Sequence, residues 1–246
     1  MPISPNQGST GGGTVVTITG TNLSGATAVK FGTKPGTITA NTPTSITVTS
    51  PSGSGTVGVT VTTPGGTSNP LAFYYIGAPF KAALSSDSGP VAGGNTITIT
   101  GTGLSTANNV AFGANSATPT VVSDNTINVV VPAGAAGAVG VTITTAGGSN
   151  NGLTYTYVTT PTVTSIAPSA GPTSGGTAAT VTGTGLTSTQ SVTVGGAIAP
   201  FTVINDTELS IVTPPGAAGS ADVDVTTTGG TASIASGFTY TAGPGI

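Results

Sequence analysis

The sequence predicts an all-β protein made of three small domains in tandem, each a sandwich or a barrel. Three observations lead there. One block recurs three times along the 246 residues, its landmarks lying 81 or 82 residues apart. Inside each block apolar and polar residues alternate with a period of two, the pattern of a strand with one face on a core. The alternating runs are punctuated by Gly, Pro, Asn and Ser at intervals of roughly 8–12 residues, which suits a sandwich or barrel.

The repeat is read first, because an internal period decides the architecture. Thr17-Ile18-Thr19-Gly20-Thr21-Asn22-Leu23 returns as Thr98-Ile99-Thr100-Gly101-Thr102-Gly103-Leu104 and as Thr180-Val181-Thr182-Gly183-Thr184-Gly185-Leu186. Val59–Thr63, Val141–Thr145 and Val223–Thr227 form a second landmark, each followed by Gly-Gly at 65–66, 147–148 and 229–230. Phe73/Tyr75, Tyr155/Tyr157 and Phe238/Tyr240 close the blocks. Such a period exceeds the roughly 20–50 residues of a solenoid unit and is long enough for an independent domain. The expected domains are 1–77, 78–159 and 160–246. Their joints, Gly77-Ala78-Pro79 and Thr159-Thr160-Pro161, are short and hold Pro. Such joints limit bending, so a semi-rigid rod is expected.

Within the first block, strands are expected near 2–4, 13–20, 27–32, 36–40, 44–50, 56–63 and 67–76. Val15, Thr17 and Thr19 alternate with Val16, Ile18 and Gly20, and Val57, Val59 and Val61 with Gly58, Thr60 and Thr62. The other blocks repeat this at their offsets. No window carries a helical stripe. The 52 Thr and abundant Val favour pleated surfaces, because branching at Cβ restricts χ1. Gly (40) and Pro (18) fall between the runs and read as turns rather than disorder.

Composition excludes several chemistries. Only nine side chains are charged: Lys30, Lys34 and Lys81 against Asp87, Asp124, Asp206, Glu208, Asp222 and Asp224. Without His there is no Ser-His-Asp triad and no imidazole base. Without Cys and His the usual zinc, haem and iron–sulfur ligand sets are missing, so no cofactor is expected. No disulfide can form. Three Lys at a net charge of −3 cannot neutralise a phosphate backbone, so no nucleic-acid partner is expected. No run approaches 18 apolar residues, so no membrane insertion is expected. Neither Met1–Pro5 nor Thr241–Ile246 reads as a secretory signal or an anchor.

The landmarks together resemble the IPT/TIG domain. The third block carries the opening best, with Ile166-Ala167-Pro168-Ser169-Ala170-Gly171 and then Gly175-Gly176-Thr177. The first has Ile3-Ser4-Pro5-Asn6-Gln7-Gly8 and Gly12-Gly13-Thr14. The second departs from the pattern, with Leu84-Ser85-Ser86-Asp87-Ser88-Gly89 lacking the Pro and Gly93-Gly94-Asn95 in place of Gly-Gly-Thr. Phe31-Gly32 and Phe112-Gly113 match a further element, which becomes Val194-Gly195 in the third. The resemblance covers the chain three times over and implies three tandem immunoglobulin-like β-sandwiches. In that family the module is mainly a spacer or interaction unit. Its DNA-contacting members use basic loops, which this chain lacks.

Candidate sites are few. The glycines at 11–13, 101/103 and 183/185 lack the spacing of a dinucleotide or phosphate loop and read as turns needing positive φ. Asp206/Glu208 and Asp222/Asp224 are spaced as carboxylate pairs, which glycoside hydrolysis or Ca²⁺ binding would use. Asp222 and Asp224 flank Val223, which should face the core, so both should point to solvent as a plain polar face. Asn22-Leu23-Ser24 and Asn205-Asp206-Thr207 match a glycosylation sequon, to which no function is attached. Of eleven aromatics, eight sit at equivalent core positions. The remaining three, Tyr74, Phe80 and Phe201, are the interface candidates. Tyr74 should face outward. Phe80 should pack at the first joint or else anchor a partner.

The outward strand positions are mostly Thr, Ser, Gly and Ala, with few charges to keep neighbours apart. Edge Lys, the usual guard of a sheet edge, is nearly missing. The first block carries Lys30 and Lys34, and the third carries four acids, which favours head-to-tail contact. Met only at position 1 and scarce Lys suit an oxidising, protease-rich setting. The expected function is therefore a non-enzymatic extracellular or surface structural protein that self-associates into a filament or layer, or mediates adhesion. Its expected partner is a copy of itself or a cell-surface protein or glycan. The alternative is a glycan- or receptor-binding module decorating a virion or injection particle.

Overall fold

A computed structural model describes residues 1–243, leaving aside the side chains of Lys81 and Ala82. The last three residues of the third expected domain lie outside the described residues. The chain is all-β, with a single 3-10 turn at Leu186–Ser188 among the described residues. It groups into two compact units: residues 1–85, 96–131 and 140–154 form one, and residues 86–95, 132–139 and 155–246 the other.

The first repeat holds β1 (Ile3–Ser4), β2 (Gln7–Ser9), β3 (Val15–Thr19), β4 (Ala28–Phe31), β5 (Lys34–Pro35), β6 (Thr37–Asn41), β7 (Ser45–Thr49), β8 (Gly55–Thr63), β9 (Gly66–Thr67) and β10 (Leu71–Ile76). One sheet runs β1-β3-β7-β6; the other runs β2-β10-β8-β4-β5, with β9 folded onto β8. The pairing is antiparallel except for β2, which runs parallel to β10 with Gln7 opposite Tyr74. Alternation places Val16, Ile18, Ile46 and Val48 inside from one sheet, and Val29, Phe31, Val59, Val61, Phe73 and Tyr75 from the other. Phe73 is gripped edge-on by Phe31 at 5.0 Å and by Tyr75 at 5.1 Å. The third repeat builds the same core from Val181, Val192, Leu209, Ile211, Val223, Val225, Phe238 and Tyr240. The sheet pair occurs three times, and the expected immunoglobulin-like sandwich class stands.

The strands follow the expected runs with three differences. The two short strands β2 and β5 are additional, being too brief to show alternation. The expected run 67–76 is split, because Ser68-Asn69-Pro70 interrupts it and Pro70 has no N–H to give the ladder. Its counterparts run unbroken over Gly148–Val158 and Gly230–Thr241.

Two repeated devices fix local geometry. The second aromatic of each closing pair donates its hydroxyl to a proline carbonyl: Tyr75 to Pro51 at 2.9 Å, Tyr157 to Pro132 at 2.7 Å and Tyr240 to Pro214 at 2.7 Å. Gly53, Gly134 and Gly216 lie against these rings, where a Cβ would come within 2.3–2.5 Å. The second device is a Thr-x-Gly-Gly hairpin turn at 63–66, 145–148 and 227–230. Its Thr hydroxyl accepts the first glycine's N–H at 3.1–3.3 Å and donates to the second glycine's carbonyl at 3.1–3.4 Å. The second glycines sit at φ +125 to +128°, which only Gly adopts cheaply.

Candidate interaction surface

Sheet edges are guarded here mainly by backbone geometry, with Lys34 and Pro35 on one edge of the first repeat. One edge of each repeat is a bulged strand, with register shifts at Ile38/Ala40, Val121/Ser123 and Val203/Asn205. The opposite sheet ends in a strand of only two or three residues, at Lys34–Pro35, Asn115–Ala117 and Ala197–Ile198. Bulges and short edges both discourage a foreign strand from adding alongside. This device was not visible in composition.

The three interface candidates part company. Tyr74 faces outward, 45 % exposed between buried Phe73 and Tyr75. Phe80 is 61 % exposed, more than a ring packed into a joint would be, although its carbonyl accepts the Thr102 hydroxyl at 3.2 Å. Phe201 is half-buried and packs on the margin of the third core. Aliphatic residues missed at the sequence level are as open: Ile198 is 76 % exposed, and Val122 and its equivalent Ile204 are 60 % and 55 % exposed. An aromatic count could not find them; outward position on an edge strand could.

The carboxylates serve their own loops. Asp206 accepts the Gly185 N–H at 3.1 Å and the Thr187 hydroxyl at 2.9 Å. Those bonds, Thr187's foremost, hold its carboxyl below the usual carboxylate value. Asp124, its equivalent 82 residues earlier, accepts the Gly103 N–H at 3.3 Å and the Ser105 N–H at 3.4 Å. Its carboxyl is likewise lowered, first by the Ser105 side chain and then by these backbone bonds. Both brace a loop whose glycine, 103 or 185, stands at φ +73°. Of the glycines that the sequence marks, Gly12, Gly13, Gly103 and Gly185 stand at positive φ as expected, whereas Gly101 and Gly183 lie within strands and Gly11 has no positive φ. In the first repeat Asn22 takes the left-handed position at φ 59°, and Pro43 stands where the acid would be.

Asp222 is exposed as expected and accepts the Ser236 N–H at 2.7 Å. Asp224 is half-buried rather than open, because Thr193 and Ser233 both donate hydroxyls to it. The two border a cleft of about 380 Å³ with Gly195, Pro215 and Tyr240. Among the described residues no three His, Cys, Asp or Glu side chains converge as metal ligands would. No helix among them is long and apolar enough to cross a membrane.

Comparison with known proteins adds the following. The IPT/TIG domain model matches residues 1–75, 79–157 and 161–241. No curated protein matches the chain. Among solved structures, the chain is similar to the plexin A4 extracellular region, with 25 % identity over 89 % of this chain and 21 % of that one, TM-score 0.48. It is also similar to SGBP-B from a complex xyloglucan utilisation locus in Bacteroides uniformis, with 22 % identity over 66 % of this chain and 49 % of that one, TM-score 0.32. The Escherichia coli adhesin FdeC is 14 % identical over 98 % of this chain and 96 % of its own, TM-score 0.33. The chain spans about a fifth of the plexin region and half of SGBP-B.

Proposed function

This chain belongs to the IPT/TIG domain family, and from that premise we propose that it is a non-enzymatic structural protein of the extracellular space or of a cell or particle surface. Its role is to associate with copies of itself. One observation carries the reading: nine ionic side chains are spread over a surface of 11,539 Å². Charges of one sign normally keep soluble domains apart, and surfaces poor in them associate. Open apolar side chains, Ile198, Phe80, Val122 and Val15 among them, support the same reading. The carboxylates support a non-catalytic role, since Asp124, Asp206, Asp222 and Asp224 are all engaged in bracing their own backbone or strand neighbours.

Sedimentation velocity over a wide concentration range, with negative-stain microscopy of the same samples, tests this. Large species or fibres that grow with concentration are expected. A monomer that persists at millimolar concentration overturns the reading, and the same monomer binding a glycan array or a host-cell surface replaces it with a recognition role.

A further inference from the structure

The outer face of one sheet carries opposite charge in the first and third repeats, at the same cross-strand row. In the first repeat this is the sheet β2-β10-β8-β4-β5. Val29, Phe31, Val59 and Val61 turn into its core, so Lys30 and Thr60, which lie between them, turn outward. Lys30 and Thr60 are direct cross-strand partners, and Lys30 also lies opposite Pro35 on the edge strand. The row therefore reads Pro35, Lys30, Thr60. In the third repeat the same row reads Ile198, Thr193, Asp224, Ser233. In the second it reads Ser116, Ala111, Thr142, without charge.

The two faces complement each other in detail. Lys30 is exposed, whereas Lys34 is tied down, donating to the Ser52 carbonyl at 2.9 Å and to its hydroxyl at 3.4 Å. Lys30 is thus the cation that the first face offers. Asp224 is held in place by the hydroxyls of Thr193, at 3.2 Å, and Ser233. These neutral donors leave its charge intact, and a carboxylate with about four lone-pair sites accepts an ammonium as well. Asp222 adds a second, exposed acid on the same side. Apolar groups flank the charges on both faces. Ile198 is 76 % exposed at the end of the acidic row. Pro35 and Pro70 are exposed beside the basic one, and Pro70 covers the outward side of Gly58, where a Cβ would meet it at 2.8 Å.

We propose that the outer face at Lys30 and Thr60 is a docking surface for the outer face at Thr193 and Asp224 of a second copy of this chain. The faces are equivalent parts of equivalent sheets, so they meet about a pseudo-two-fold axis. Turning one row end for end sets Lys30 against Asp224 and Thr60 against Thr193, with Ile198 over Pro70. Sheets packed face to face stand about 10 Å apart, a gap that the Lys and Asp side chains bridge together. The second repeat, with Ala111 and Thr142 in these places, offers neither charge. The contact joins different repeats of the two copies and is therefore heterologous. It also leaves the bulged sheet edges out of the interface. This inference rests on the self-association reading and names the faces that meet.

Two measurements test it. In the first, sedimentation velocity compares the unaltered chain with Lys30→Glu, which sets like charge against Asp224, and with Ile198→Ser. Both changes fall on exposed side chains, and far-UV circular dichroism checks that the fold is kept. Lys30→Glu should raise the dissociation constant at least about tenfold, because like charges placed opposite each other oppose docking. Ile198→Ser should raise it by less, and added salt should weaken association of the unaltered chain. In the second, the absence of native Cys is used. Chains carrying Thr60→Cys are mixed with chains carrying Thr193→Cys under mild oxidation, and disulfides joining position 60 to position 193 are expected. Association undiminished in Lys30→Glu, with no such mixed disulfide, would overturn these faces and leave self-association to another surface. Disulfides confined to pairs of Thr60→Cys chains would overturn the third repeat as the occupant. An unaltered chain that stays monomeric at millimolar concentration would instead sink the self-association reading itself.

Discussion

Three equivalent glycines should respond oppositely to the same methyl group. On Gly147 the new Cβ stands 1.8 Å from the Gly77 oxygen, and on Gly229 1.9 Å from the Thr159 oxygen. A carbon and a carbonyl oxygen tolerate no less than about 3.3 Å, so the linker must retreat by more than 1 Å or so. Overpacking of this kind costs about 1–3 kcal/mol. The retreat also strains one hydrogen bond per joint, Asn150 to Pro79 or Thr160 to Gly229, worth about 1 kcal/mol each. Gly147→Ala and Gly229→Ala should therefore each lose about 2–4 kcal/mol. At Gly65 the methyl meets nothing closer than 3.7 Å and φ lies outside the left-handed region. Gly65→Ala should leave stability unchanged or raise it by about 0.4–1 kcal/mol, through the lower entropy of the unfolded chain. Urea unfolding followed by far-UV circular dichroism measures all three. If the three variants unfold within about 0.5 kcal/mol of one another, the linkers do not rest on Gly147 and Gly229 and the reasoning fails.

Other expectations follow from the same geometry. Tyr157→Phe removes the hydroxyl from the Pro132 carbonyl and should cost about 1 kcal/mol, whereas Gly134→Ala drives a methyl into the ring and should cost about 1–3 kcal/mol, read in the same urea assay. Phe201→Ala should destabilise by about 1–3 kcal/mol because the ring packs on the third core, while Tyr74→Ala should change stability by less than about 0.5 kcal/mol; thermal melts compare the two. Melting temperature should be flat across neutral pH, since no His titrates there. It should fall in acid, because Asp124 and Asp206 carry folded pKa values below 3.8: their contribution is complete above that value and disappears as pH drops through the lowered one. It should fall again in strong base, because burial raises Tyr75, Tyr155, Tyr157 and Tyr240 above 10.0, and what they contribute below pH 10 is lost as pH climbs through the raised values. A step near neutrality would contradict this.

Much of the fold was legible because period-two alternation and a long repeat are both properties of sequence alone. Val16, Ile18, Val59, Val61 and the closing aromatics announce their faces directly. What stayed hidden depended on tertiary partners. Gln7–Ser9 is a strand only because β10 lies parallel beside it. Asp206 looked like half of an acidic pair with Glu208, yet its real relation is to Asp124 at the same loop. Pro43 in the first repeat concealed that correspondence. Phe201 lacked an aromatic counterpart and so suggested a surface role, but the third core absorbs it at its edge.

The surface argument changes most when the edges are taken into account. Scarce charge and Thr-rich strands suggest sideways pairing of sheets, and the bulges at Ile38/Ala40, Val121/Ser123 and Val203/Asn205 oppose that route in every repeat. An association that avoids edge addition must use another part of the surface. Within the chain, a glycine turn without side chains twice lets a linker backbone approach, and the following strand finds a partner at Thr102 or Thr184. The first repeat keeps that turn, with its Thr63 cap intact and the glycine at 66 still at φ +125°. At Gly65 φ permits any residue and a methyl group would fit.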